Sequence, residues 1–232
     1  MHKIINNKNF TNNLKEFKKI IKADPDIIKI KNFCSIKICK EITKKAHNFS
    51  KKNQPYSKQS GVDYNKILGT KNFWEYRVLP ITSETSHLYR IFHINFYNKF
   101  FKDNPISLFF KNYLSLLDII CDKPLLKSKK MKINPKIIHY PLGGGHFDWH
   151  IHNRYPQNYG KILNLSKQNT DFKKGSTLFK IKNKIISFEK ITKQGDLVLF
   201  KYNLPHMVSK VDHNSDLIFN LKGRWTLVMP IY

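Results

Sequence analysis

Cysteine, acidic residues and long apolar runs are all scarce in this chain, and each shortage excludes something. Only Cys34, Cys39 and Cys121 occur. They are odd in number and lack paired metal-ligand spacing, so neither a disulfide framework nor a cysteine metal site is expected. The longest apolar stretches, such as Ile106 to Phe110 and Ile191 to Phe200, fall well short of the roughly 20 residues of a spanning helix, and no membrane segment is expected. The opening residues, MHKIINNKNF, lack the apolar core of a secretory signal, so the expectation is a cytoplasmic protein with reduced thiols. Asp and Glu together number 16 against 42 Lys and Arg, a formal net charge of +26. That excess is mostly lysine spread along the chain and not a local patch. It therefore argues against nucleic acid and suits an anionic small-molecule or polymer-attached substrate better.

What is present is enough apolar material for a core: 41% hydrophobic and 13% aromatic residues in 232. The expectation is a single domain over 1–232, with a mainly helical part over 1–134 and a β core over 135–232. Phe10, Leu14, Phe17, Ile20 and Ile21 recur at helical spacing within 1–33, and Ile38, Ile42 and Ala46 do so after Ser35, a capping residue. Residues 51–70 read as loop, and Phe73, Trp74, Tyr76 and Val78 as a short strand. Asn104, Pro105 and the apolar pattern through Cys121 read as a further helix. Beyond Pro135 seven runs suit strands: KIIHY, GHFDWHIH, KILNLS, STLFKI, KIISFE, DLVLFKY and RWTLVMPIY. The fold class expected is α+β: a jelly roll with N-terminal helices packed on it.

The segment HYPLGGGHFDWHIH, residues 139–152, concentrates metal-binding chemistry. On a regular strand His146, Asp148, His150 and His152 alternate onto one face. A redox iron takes two or three imidazole or carboxylate ligands on one side and keeps the opposite positions open. A pair two residues apart supplies two of them. His206, after the turn Asn203-Leu204-Pro205, suits the other. Zinc accepts the same donors, so the residues alone leave the metal open. Arg224 and Thr226 lie two apart in an apolar run, and a buried guanidinium is costly unless it meets an anion.

Taken together, Tyr140, Gly143 to Gly145, His150 with position 152, Gly175 to Phe179, Gly195 to Phe200 leading to His206, and Arg224 with Thr226 resemble the iron(II)/2-oxoglutarate oxygenases, in particular the prolyl-hydroxylase branch. The resemblance covers about residues 137–232. It implies a double-stranded β-helix core, iron(II) on His150 and His206, and 2-oxoglutarate held by Arg224 with Thr226 and Tyr140. The implied reaction is hydroxylation of a substrate C–H bond, with dioxygen and 2-oxoglutarate converted to succinate and carbon dioxide. The departure from the family is at position 152, where His152 stands in place of the usual Asp. Two ligand sets stay open: three histidines, His150, His152 and His206, or a pair shifted to His146 and Asp148. Two other readings also stay open, a cupin-like metal-binding barrel without turnover and a three-histidine iron dioxygenase that needs no 2-oxoglutarate.

Overall fold

The computed structural model describes residues 2–6, 14–55, 73–79, 85–93, 112–113, 115–116, 135–152 and 159–230. In the N-terminal half the elements are strand β1 (His2–Asn6), helix α1 (Leu14–Lys22), strand β2 (Ile27–Lys31), helix α2 (Ile36–Lys52), and strands β3 (Phe73–Leu79) and β4 (His87–His93). The helical periodicity of 1–33 thus marks α1 alone, with strands on either side of it. The β-branched run Ile27-Ile28-Lys29-Ile30 forms a strand because it pairs with β1 on one edge and another strand on the other, a tertiary gain that local periodicity does not report. Helix α2 starts where its cap predicts: the Ser35 hydroxyl accepts the Ile38 N–H at 3.2 Å. Cys39, Ile42 and Ala46 form its buried face. Of the helix expected over 104–121, only 112–113 and 115–116 are described, and these are helical, with Tyr113 and Leu116 buried. The loop expected over 51–70 lies mostly outside the described residues.

The C-terminal half supplies strands β5 (Lys136–Tyr140), β6 (Gly145–His150), β7 (Tyr159–Asn164), β8 (Thr177–Ile181) and β9 (Lys184–Ser187), the single-turn helix α3 (Phe188–Ile191), and strands β10 (Leu197–Lys201), β11 (His206–Val211) and β12 (Arg224–Val228). All seven runs marked in the sequence contain a strand. KIISFE does so only as far as Ser187, where the chain turns into α3. Strand β11 escapes the pattern, because its inward residues are a histidine and two valines interrupted by a bulge.

Strands β10-β7-β12-β5 form one antiparallel sheet and β6-β11-β8-β9 a second, and β4 joins them by pairing with both β5 and β6. The result is a strongly curled sheet of jelly-roll type, extended beyond β10 by β2 and β1. Alternation sorts the side chains into two layers. Leu163, Leu197, Leu199, Trp225 and Leu227 join Phe17, Cys39, Ile42 and Ala46 in one buried cluster, while Ile162, Val198, Phe200 and Phe179 form another inside the roll. No described helix is long and apolar enough to cross a membrane.

A buried polar group pins β12 to its neighbours. Arg90 donates from Nε to His139 Nδ1 at 2.9 Å, and His139 Nε2–H donates to the Lys222 carbonyl at 2.7 Å, which fixes a neutral imidazole. Trp225 stacks on that ring with centroids 4.1 Å apart. Burial, reinforced by the Arg90 charge, holds the His139 pKa well below its ordinary value, and burial pushes His87 down to about 4. Both are depressed histidines. The unfolded chain therefore takes up protons below about pH 6.5 that the folded chain refuses, and stability is lost as pH falls. For His87 this costs on the order of 1–2 kcal/mol at pH 5, and His139 acts in the same direction. Thermal denaturation should accordingly show a melting temperature roughly 5 °C or more lower at pH 5.0 than at pH 7.5, and a flat or rising profile would contradict the buried neutral imidazoles.

Candidate metal centre

His150 closes β6, and His206 opens β11 directly opposite it in the ladder. Between the pairs Val208↔Phe147 and His206↔His150, β6 spends three residues against two on β11, which is a β-bulge. The bulge changes the phase of the strand. Phe147 and His150 both reach the interior of the roll, their rings stacked with centroids 3.9 Å apart, while Asp148 is exposed and its carboxylate accepts the Trp149 N–H at 2.7 Å. His146 also stands apart from the histidine cluster, with Nδ1 donating to the Gly144 carbonyl and Nε2 meeting the Ser86 hydroxyl, both at 2.9 Å. The single polar face expected from strict alternation is therefore split in two.

His152 lies just past β6, held by its N–H to the Tyr202 carbonyl at 2.9 Å and edge-on to the Tyr202 ring. Ligand atoms of His150, His152 and His206 all lie within 4.8 Å of one another. An ion about 2.1 Å from each nitrogen holds tetrahedral or facial ligand atoms roughly 3.0–3.4 Å apart, so the most widely separated ring nitrogens must close by up to about 1.8 Å on binding. Two of the three are oriented for the task. His150 Nδ1–H donates to the Asp148 carbonyl at 2.7 Å and His206 Nδ1–H to the Leu204 carbonyl at 2.8 Å, which leaves each Nε2 lone pair available. Burial, with the neighbouring His150 second, pushes His206 down to about 3, and burial also lowers His150, so both are neutral and ready to ligate near pH 7. These residues fit a divalent transition metal.

The triad stands at one side of a cavity of about 180 Å³ whose wall includes Tyr140, Phe147, Thr177, Phe200, Arg224 and Thr226. Gly160 keeps room beside Phe200, since a Cβ there would come within 2.4 Å of the Phe200 ring. Tyr140, Arg224 and Thr226, singled out in the sequence, are all brought to this cavity, and each is buried. Arg224 is not open on all sides. Its Nε donates to Glu189, its Nη2 donates to Thr177 Oγ1 at 2.6 Å, and its guanidinium lies 5.5 Å from the Tyr140 ring centroid. Glu189 sits on α3, and its other carboxylate oxygen accepts from Ser176 Oγ and from the Thr177 N–H at 3.1 Å. Sequence reasoning passed over Glu189 and also Arg77, another cavity-wall guanidinium, which Glu75 holds through two hydrogen bonds. No local signal marked Glu189, which stands beside Lys190 in ISFEKI and whose partners are distant in sequence.

Solved structures that share this fold include two prolyl hydroxylases. A crystal structure of a Pseudomonas putida prolyl-4-hydroxylase matches with a TM-score of 0.56 at 12% identity, over 91% of this chain and 96% of that one. A prolyl hydroxylase from Trichoplax adhaerens, in complex with a peptide fragment of the hypoxia inducible factor oxygen degradation domain, matches with a TM-score of 0.53 at 15% identity, over 94% and 91%. No family profile and no curated protein matches the sequence.

Calorimetric titration of the apo protein with cobalt(II) should give one ion per chain. His206→Ala and His152→Ala should each weaken that binding by 10-fold or more, whereas Asp148→Ala and His146→Ala should leave it unchanged.

Proposed function

We propose that this chain is an iron(II)-dependent oxygenase that uses 2-oxoglutarate and dioxygen to hydroxylate a substrate, with His150, His152 and His206 as the metal ligands. The observation that carries the reading is the convergence of those three imidazoles at a jelly-roll cavity with a guanidinium on its wall. The likeness in fold to prolyl hydroxylases supports it, and so does the resemblance over residues 137–232. Iron bound there would supply the activation of dioxygen, coupled to oxidative decarboxylation of the 2-oxo acid.

The remaining work falls to the chain's own groups. Backbone carbonyls of Asp148 and Leu204 fix the tautomers of two ligands. Phe147, Phe179 and Phe200 surround the triad with apolar rings, which exclude water from the face where a substrate C–H bond must lie. Arg224 presents Nη1, which makes no hydrogen bond to another described residue, to a carboxylate in the cavity, with Tyr140 and Thr226 beside it. At the rim, Trp149, Ile151 and the half-buried His152 offer a surface for a small or polymer-attached substrate.

A second reading, a three-histidine iron dioxygenase that needs no 2-oxo acid, draws support from one observation: the Arg224 charge already has a partner in Glu189. Anaerobic iron(II) titration separates the two. On the oxygenase reading, 2-oxoglutarate added to the iron-loaded protein raises a visible charge-transfer band, which His206→Ala abolishes and Asp148→Ala retains. No band in the wild type, despite bound iron, removes 2-oxoglutarate from the proposal.

A further inference from the structure

Glu189 has no part in holding the metal, yet it is among the most completely anchored side chains around the cavity. One oxygen meets Arg224 Nε and the other meets Ser176 Oγ and the Thr177 N–H, and the side chain is 2% exposed. It cannot swing away without leaving those donors unsatisfied. Arg77, the other guanidinium on the wall, is likewise held by Glu75. Lys161 shares the parity of Tyr159 and Leu163 on β7, outside the roll, and its Nζ points to the Met229 carbonyl 3.5 Å away. Lys136 and Lys161 border the cavity as well, and Lys136 lies four residues along β5 from Tyr140, beside His93.

Resting on the iron and 2-oxo acid reading above, we propose that Glu189 makes this site a relaxed one for its co-substrate, which accepts 2-oxo acids with an uncharged far end nearly as well as 2-oxoglutarate. The argument is one of differences. A buried guanidinium that waits unpaired for a ligand carboxylate penalises any ligand lacking one, because an uncompensated charge stays behind; such sites discriminate by about a hundredfold or more. Here the cation already has its counter-ion. A 2-oxo acid ending in a methyl group leaves no charge uncompensated at Arg224, while a second carboxylate at this end of the cavity shares the Arg224 guanidinium with Glu189 at like-charge cost. The ring of Tyr140, on the cavity wall with its centroid 5.5 Å from the guanidinium carbon, suits the uncharged end.

The test compares 2-oxoglutarate with 2-oxopentanoate, which has the same five-carbon chain but a methyl end. Dissociation constants are measured by calorimetry on the cobalt(II)-loaded full-length protein. Wild type is expected to prefer 2-oxoglutarate by less than about 30-fold, and a larger preference overturns the proposal. Glu189→Gln is expected to shift the ratio toward 2-oxoglutarate by 10-fold or more, and an unchanged ratio also overturns it. Should that variant fail to fold, the wild-type ratio alone decides. If neither acid binds the metal-loaded chain, the 2-oxo acid reading itself falls and takes this inference with it.

Discussion

Everything at this site depends on one pairing, His150 opposite His206 across the β6–β11 ladder. A ladder position is set by backbone hydrogen bonds, and it brings two rings to a centroid separation of 4.1 Å without any long side chain having to search for its place. The bulge beside it then decides which residues accompany them. One additional residue in β6 sends Phe147 inward and Asp148 outward, so a carboxylate two positions from a potential ligand is lost to solvent. The third imidazole comes from the residue after the strand ends, where the backbone is tied to Tyr202.

Charge has been redistributed around the cavity. The proposed ligand triad has no negative charge to contribute, while a carboxylate stands on Arg224. Relative to a pattern with a carboxylate on the metal and an open arginine, the sum is the same and the location differs. With a metal bound as proposed, the histidine end would be the more electropositive part of the cavity and the arginine end close to neutral.

Much of this was legible in the residues, and the reasons differ by element. All the strands after Pro135 except β11 announce themselves, because each is a short run rich in Ile, Val, Phe and Leu divided from the next by Gly, Asn or Lys. The histidines stand out by their density, and Arg224 by its isolation. Strands β1 and β2 did not show, because their strand character comes from partners more than a hundred residues away or outside any local period. The ambiguity between Asp148 and His152 could not be resolved by spacing, since a bulge inserts one residue without leaving a mark in composition. Glu189 was hidden for a related reason: its partners Ser176 and Thr177 lie on a neighbouring strand, and Arg224 lies 35 residues on.

A ligand set of three imidazoles confers little preference among metals. Without a protein carboxylate to favour a harder ion, affinity for divalent cations follows the general stability order, in which copper and zinc outrank iron. On the proposed reading, which ion the triad would carry is then a matter of supply and of the order of loading, and the identity of the metal becomes a property of the surroundings as much as of the fold.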